Sequence, residues 1–151
     1  MSANAGDFVQ LGPTTASFVV TSDRKLMVAS YMVSEEFGQG SGDPSMVLAI
    51  PAELHSDEYL VHAHPSWDVN FADIVAPTGA LVHVDGTPVV GFTAITGTGL
   101  GYAHVALASV TDGVHRIVGD RPIGLSVYGM TPYGSYWYPG GLTASSSPAP
   151  R

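Results

Sequence analysis

The sequence predicts a single all-β domain, an antiparallel β-sandwich with the jelly roll among its forms. Three observations point there. Apolar and polar residues alternate with period two in short runs that recur roughly every 8–12 residues. Between the runs stand segments with turn chemistry, among them Asp85-Gly86, Asp112-Gly113 and Pro77-Thr78-Gly79. Charged residues make up only 12% of the 151, and Gly, Thr, Ser, Val and Pro stand where a helical protein would carry Lys, Gln and Glu.

In chain order, strands are expected at residues 7–11, 17–21, 26–32, 45–50, 59–64, 70–76, 80–84, 88–90, 92–95, 102–109, 114–118, 123–128 and 135–138. Asp85-Gly86 and Asp112-Gly113 suit two-residue hairpin turns, since both of their positions tolerate positive φ. Pro77-Thr78-Gly79 suits a longer turn, and Gly40-Ser41-Gly42-Asp43-Pro44 a loop. Residues 51–59 have a helical flavour over a turn or two at most. Alternation also names faces. In residues 80–84, Ala80, Val82 and Val84 share one side, with Leu81 and His83 on the other. In residues 102–109, Ala103, Val105 and Leu107 form the core face, opposed by Tyr102, His104, Ala106 and Ala108. The domain is expected to span residues 1–142. Residues 143–151, rich in Ser and Pro, read as a linker or tail of a longer chain.

A net charge of −8, with one Lys and four Arg thinly spread, leaves no basic stripe to neutralise phosphates. Nucleic acid is therefore not an expected partner. No apolar run reaches the length of a membrane span, so membrane insertion is not expected either. Cysteine is absent, which decides no compartment. The opening Met1-Ser2-Ala3-Asn4-Ala5-Gly6 is too short and polar for an export signal, which a secreted parent would carry elsewhere.

No residue pattern assembles an active site, and the chain is expected not to be an enzyme. His62 and His64 are two apart on a strand and share a face, but nothing nearby has the spacing of a third ligand. They read as strand histidines without a metal, and no cofactor is expected. His83, His104 and His115 are scattered. Asp43, Asp68, Asp73, Asp112 and Asp120 read as turn-forming residues in or beside loops rather than calcium ligands. No nucleophile elbow occurs, adjacent Glu35 and Glu36 point apart on an extended strand, and Gly97-Thr98-Gly99-Leu100-Gly101 lacks the helix and Lys of a phosphate cradle.

The remaining feature is aromatic. Residues 133–138 carry Tyr133, Tyr136, Trp137 and Tyr138 close to glycines. On a closing strand, alternation turns Tyr136 and Tyr138 toward the core and Trp137 away from it. Trp137 and the loop residue Tyr133 are then the candidate partner-binding residues, since large rigid rings give contact area at low entropy cost.

Several longer segments, taken in order, resemble a known family. They are Gly42-Asp43-Pro44-Ser45-Met46 leading to Ile50-Pro51-Ala52-Glu53, the run from Asn70-Phe71-Ala72-Asp73-Ile74 to Pro77-Thr78-Gly79-Ala80, and Val84-Asp85-Gly86-Thr87-Pro88-Val89. Asp112-Gly113-Val114-His115, Pro122-Ile123-Gly124-Leu125-Ser126-Val127-Tyr128-Gly129 and Ser135-Tyr136-Trp137-Tyr138-Pro139-Gly140-Gly141-Leu142 complete the set. Together they resemble the C-terminal part of the IgGFc-binding-protein N-terminal domain, as found in many bacterial surface proteins, over nearly all of residues 7–142. The resemblance implies a β-rich module, extracellular or at the cell surface, without catalysis. Its partner would be an unidentified protein or glycan, with antibody Fc suggested only by the family's name. The role expected is adhesion or partner binding, with a self-associating structural subunit of a surface assembly as the alternative.

Overall fold

The residues from Val114 to Thr131 alternate with few interruptions and fold as one strand of 18 residues. The structure, a computed structural model, describes residues 4, 6–34 and 41–143. Its strands are β1 (Ala29–Tyr31), β2 (Met46–Leu48), β3 (Ser56–His62), β4 (Val69–Pro77), β5 (Val82–Val84), β6 (Thr87–Pro88), β7 (Thr93–Ile95), β8 (Leu100–Ala106), β9 (Val114–Thr131) and β10 (Gly134–Pro139). Among the described residues the only helical element is a 3₁₀ turn at Ala52–Leu54, inside the segment of helical flavour. All the strand pairs are antiparallel. The predicted all-β fold is what the chain adopts.

β9 belongs to two sheets. Its first half lies between β3 and β5, and β6 extends that sheet beyond β5. Its second half lies between β4 and β10, with β8 and β7 continuing past β4. The turn between the halves is chemical. Pro122 has no N–H to give a ladder, and a Cβ on Gly119 would sit 2.6 Å from the Arg121 carbonyl oxygen. Pairing records the bend: Glu58 faces Val118 while Ser56 faces Ile123, so β9 gains extra residues against β3. The two expected strands at 114–118 and 123–128 are thus one strand with a corner.

Inward side chains from both halves make one core. Tyr59, Val61, Val82, Val84 and Ile117 come from one sheet, and Ala72, Ile74, Leu107, Leu125 and Val127 from the other. Fully burying an aliphatic side chain of this size stabilises by about 1.5–3 kcal/mol. The predicted faces of residues 80–84 and 102–109 hold, with Val82, Val84, Ala103 and Leu107 buried and Leu81, Tyr102 and His104 exposed.

Two turns divide the expectations. Asp85 and Gly86 take φ of 50° and 80° between the paired Val84 and Thr87, the geometry of a type I′ hairpin. Asp112-Gly113 does turn the chain, closing a Gly113 N–H to Val110 C=O bond of 3.0 Å. It joins no hairpin, however, because β8 and β9 are not neighbours; it carries the chain from one sheet to the other.

The strands expected at residues 7–11 and 17–21 do not form. The hydrogen bonds of the stretch are local, such as Ala16 N–H to Thr14 Oγ1 at 3.0 Å. Alternation supplies propensity, but a strand needs a partner edge to accept its bonds. Phe8, Leu11, Phe18, Val19 and Met27 consequently face water.

Ile117, wholly buried, and Leu60, 71% exposed, lie on neighbouring strands with opposite surroundings. Ile117→Ala is expected to cost about 2–5 kcal/mol and Leu60→Ala less than about 0.5 kcal/mol in denaturant melts. Equal losses would mean that the β3 and β9 faces are assigned wrongly.

Candidate functional site

The same alternation that fills the core turns a second set of side chains outward. On β4, Asn70, Ala72, Ile74 and Ala76 are buried, which leaves Phe71, Asp73 and Val75 on the outer face. Register places their neighbours. Asp73 pairs with His104 of β8 and Ser126 of β9, Phe71 with Tyr128 of β9, and Tyr128 with Trp137 of β10. Directly paired residues share a face, so four strands bring one row of rings together.

The contacts are close. Phe71 and His104 stack with centroids 4.4 Å apart, Phe71 and Tyr128 lie at 5.3 Å, and Tyr128 meets Trp137 at 6.2 Å and 66°. His104 Nδ1 is 2.7 Å from Asp73 Oδ1. A carboxylate only accepts, so Nδ1 carries the hydrogen, and Nε2 is left to accept from the Tyr128 hydroxyl at 3.1 Å. Trp137 Nε1 donates to Ser126 Oγ at 3.1 Å. Burial, and next the charge of Asp73, push the Tyr128 phenol up to about 12. It stays a neutral donor, the wrong direction for a nucleophile.

The ribbon of β1 and β2 closes one side. β2 packs beside β10, the Ser45 and Ser135 hydroxyls share a hydrogen bond, and Ser135 also donates to the Asp43 carbonyl. Between ribbon and sheet runs a groove of about 330 Å³, walled by Tyr31, Asp43, Asp73, Tyr128, Met130 and Trp137. A larger recess of about 480 Å³ lies between residues 15–19 and the β7 edge. Its lining is Thr, Ser and apolar side chains with Tyr102, which offers little chemistry.

The two candidate residues part company. Trp137 faces outward as expected and forms a groove wall, half-buried rather than free. Tyr133 sits at the tip of the β9–β10 hairpin, 80% exposed, with a φ of 58° that side chains rarely adopt. Tyr136 and Tyr138 turn inward against the core, their hydroxyls donating to Asn70 Oδ1 and to the His62 carbonyl. Burial raises the pKa of both phenols above the usual value, against the opposing backbone hydrogen bonds. Asp73 needs correcting: it lies in mid-strand, within the strand expected at residues 70–76, and pairs with His104 across the ladder instead of shaping a turn. Phe71 and His104 were missed because register, not local pattern, joins them. Glu35 and Glu36 lie outside the described residues.

Elsewhere the titratable groups do not gather. His62 and His64 share a side, their rings 6.0 Å apart and edge-on, and His64 Nδ1 accepts from Ser66 N–H at 3.2 Å. Among the described residues no three His, Asp or Glu side chains are placed to hold a metal ion. His115 is wholly buried; its Nδ1 donates to Asp85 Oδ2 at 2.7 Å and its Nε2 has no partner. Asp85 Oδ1 accepts from Arg116 N–H at 2.8 Å. Burial would raise the Asp85 pKa, but the bonds from His115 and Arg116 outweigh it and the net shift is downward.

The family model described as IgGFc binding protein matches residues 1–129. The chain belongs to that family. The match takes in Tyr31, Asp73 and Tyr128 of the groove and Phe71 and His104 beside it, and stops before β10, so Trp137 and Tyr133 lie outside the part that marks an IgGFc-binding-family chain. Neither the curated proteins nor the solved structures compared with the chain include a match.

Since Tyr136 is packed and bonded and Trp137 stands at the surface of the sheet, Tyr136→Ala should cost about 3 kcal/mol or more. Trp137→Ala should cost clearly less. Paired denaturant melts decide, and a larger loss for Trp137 would place it in the core. The lowered Asp85 pKa makes its contribution whole above the ordinary value of 3.8 and lost as pH falls through the folded value. Asp85→Asn, which tolerates the positive φ, should lower stability at pH 7 and flatten the acid limb below about pH 4, where carboxylates protonate. An unchanged acid limb in urea melts would show that the pair contributes nothing.

Proposed function

We propose that the chain is a non-catalytic extracellular module, secreted or at the cell surface, that binds a protein or glycan partner. The observation that carries this is the row of rings from His104 to Trp137 on the outer face of an antiparallel sheet. Such a face needs only one side buried for stability, so large aromatics on the other side are available to a partner. Their edges carry hydrogen-bonding groups, and the sheet below holds them rigid. Tyr133 extends the surface, since a tyrosine held exposed at positive φ serves neither packing nor turn geometry. Membership in a family named for binding antibody Fc supports protein recognition, with Fc itself one partner among those to try.

One observation favours self-association as the second reading. Residues 7–27 carry apolar side chains in strand-like alternation, exposed and without a ladder. Unpaired strands of this kind find edges on other copies.

The immobilised protein is to be screened against glycans, antibody Fc and extracellular matrix proteins. A specific hit should lose affinity about tenfold or more, roughly 1.4 kcal/mol, in Trp137→Ala and in Tyr133→Ala with the far-UV spectrum unchanged. Full binding by both variants would place the partner elsewhere. Light scattering across concentrations tests the second reading, which a monomer throughout would remove.

A further inference from the structure

We propose that the groove is a cage for a cation, and that it receives an arginine side chain from a basic segment of the protein partner. The proposal deepens, and rests on, the reading of this groove as the binding surface.

Three rings from three strands line it: Tyr31 from β1, Tyr128 from β9 and Trp137 from β10. Tyr128 and Trp137 meet at 66°, so the two rings lining the groove do not form one flat platform. Each aromatic face is the negative part of a quadrupole and attracts a cation within about 6 Å. Two carboxylates, Asp43 and Asp73, line the same groove. Asp73 binds His104 through Oδ1, which leaves Oδ2 for a second donor.

Among the described residues no Lys or Arg forms an ion pair with either carboxylate, and the partner of Asp73 is His104. Arg116 pairs with Glu58 and Arg121 with Asp120 on the other half of β9, while Arg24 and Lys25 lie in the exposed N-terminal stretch. Burial chiefly raises the Tyr128 phenol, and the charge of Asp73 adds to it. A net charge of −8 then steers a basic partner toward the chain.

Size and hydration select arginine. A groove of about 330 Å³ lies at the small end of ligand sites and suits one long side chain. A guanidinium is planar and weakly hydrated, stacks on rings, and can fork onto a carboxylate at once. An ammonium is a compact, strongly hydrated point charge and does none of these as well.

The test follows the Trp137 indole N–H resonance, assigned with Trp137→Phe, in the whole chain. The probes are N-acetyl-Gly-Arg-Gly-amide, its isosteric neutral citrulline counterpart, and choline chloride. The arginine peptide should shift the resonance saturably, and about fivefold or more weaker at 0.5 M than at 0.05 M salt, as screening requires. Asp73→Asn and Asp43→Asn should each weaken it about tenfold, the scale of one desolvated charge contact. Equal binding of the citrulline peptide, no saturable shift with arginine, or choline binding where arginine does not would each overturn the proposal. The screening partner separates the two readings. If it is lost with Trp137→Ala yet indifferent to both Asp variants, the cation reading fails and the binding surface stands. If it is indifferent to all three, both readings fail.

Discussion

Two sheets in this chain share one strand, and that sharing constrains everything else. β9 hydrogen-bonds to β3 and β5 before its corner and to β4 and β10 after it. A shared strand cannot slip in one sheet without moving in the other. Because strand side chains alternate with period two, a slip of one residue would expel Ile117, Ile123, Leu125 and Val127 from the core together. The buried aliphatics on β9 therefore lock the register of both sheets, and the corner at Gly119 and Pro122 is what lets one strand serve two layers.

The groove inherits its geometry from that lock. Its floor residue Tyr128 follows the corner and lies between the buried Val127 and Gly129, so its outward direction follows from their inward one. β10 is held by equivalent means. The hydroxyls of Tyr136 and Tyr138 reach Asn70 and His62, and the Trp67 and Tyr136 rings meet edge-on at 5.1 Å. Gly129 lets Tyr136 come close, since a Cβ there would lie on the Tyr136 ring. Anchoring the two tyrosines inward obliges Trp137 to stand in the groove wall. The proposed binding surface and the core thus use opposite faces of the same strands.

What could be read beforehand was what depends on near neighbours. The faces of β5 and β8, the type I′ turn at Asp85-Gly86 and the division of Tyr136 and Tyr138 from Trp137 all follow from period two or from two adjacent residues. Phe71, His104 and Tyr128 are far apart in the chain, and no local pattern says that they stack. Asp73 has the residue type of a turn former, and only the ladder with β8 supplies His104 as its partner in mid-strand. Residues 7–11 and 17–21 have the propensity of strands and no edge to join, a condition invisible without the remainder of the fold. The corner of β9 was legible as an interruption, Gly-Asp-Arg-Pro, but whether a chain breaks or bends there depends on β3 pairing with β9 on both sides of it.

The central strand also comes after all but one of the strands described. Ser56 waits for Ile123 and Val69 for Met130, each more than sixty residues downstream. Until Val114–Thr131 has emerged, β3 and β5 lack their central neighbour, and the nearest strand pairs are the short hairpins β5–β6 and β7–β8. Contacts this distant in sequence fold slowly. The sheets thus stay open until β9 has emerged, with their apolar strands exposed to chaperones. In a cell that exports it, the translocation machinery receives a polypeptide that has not yet been able to shut.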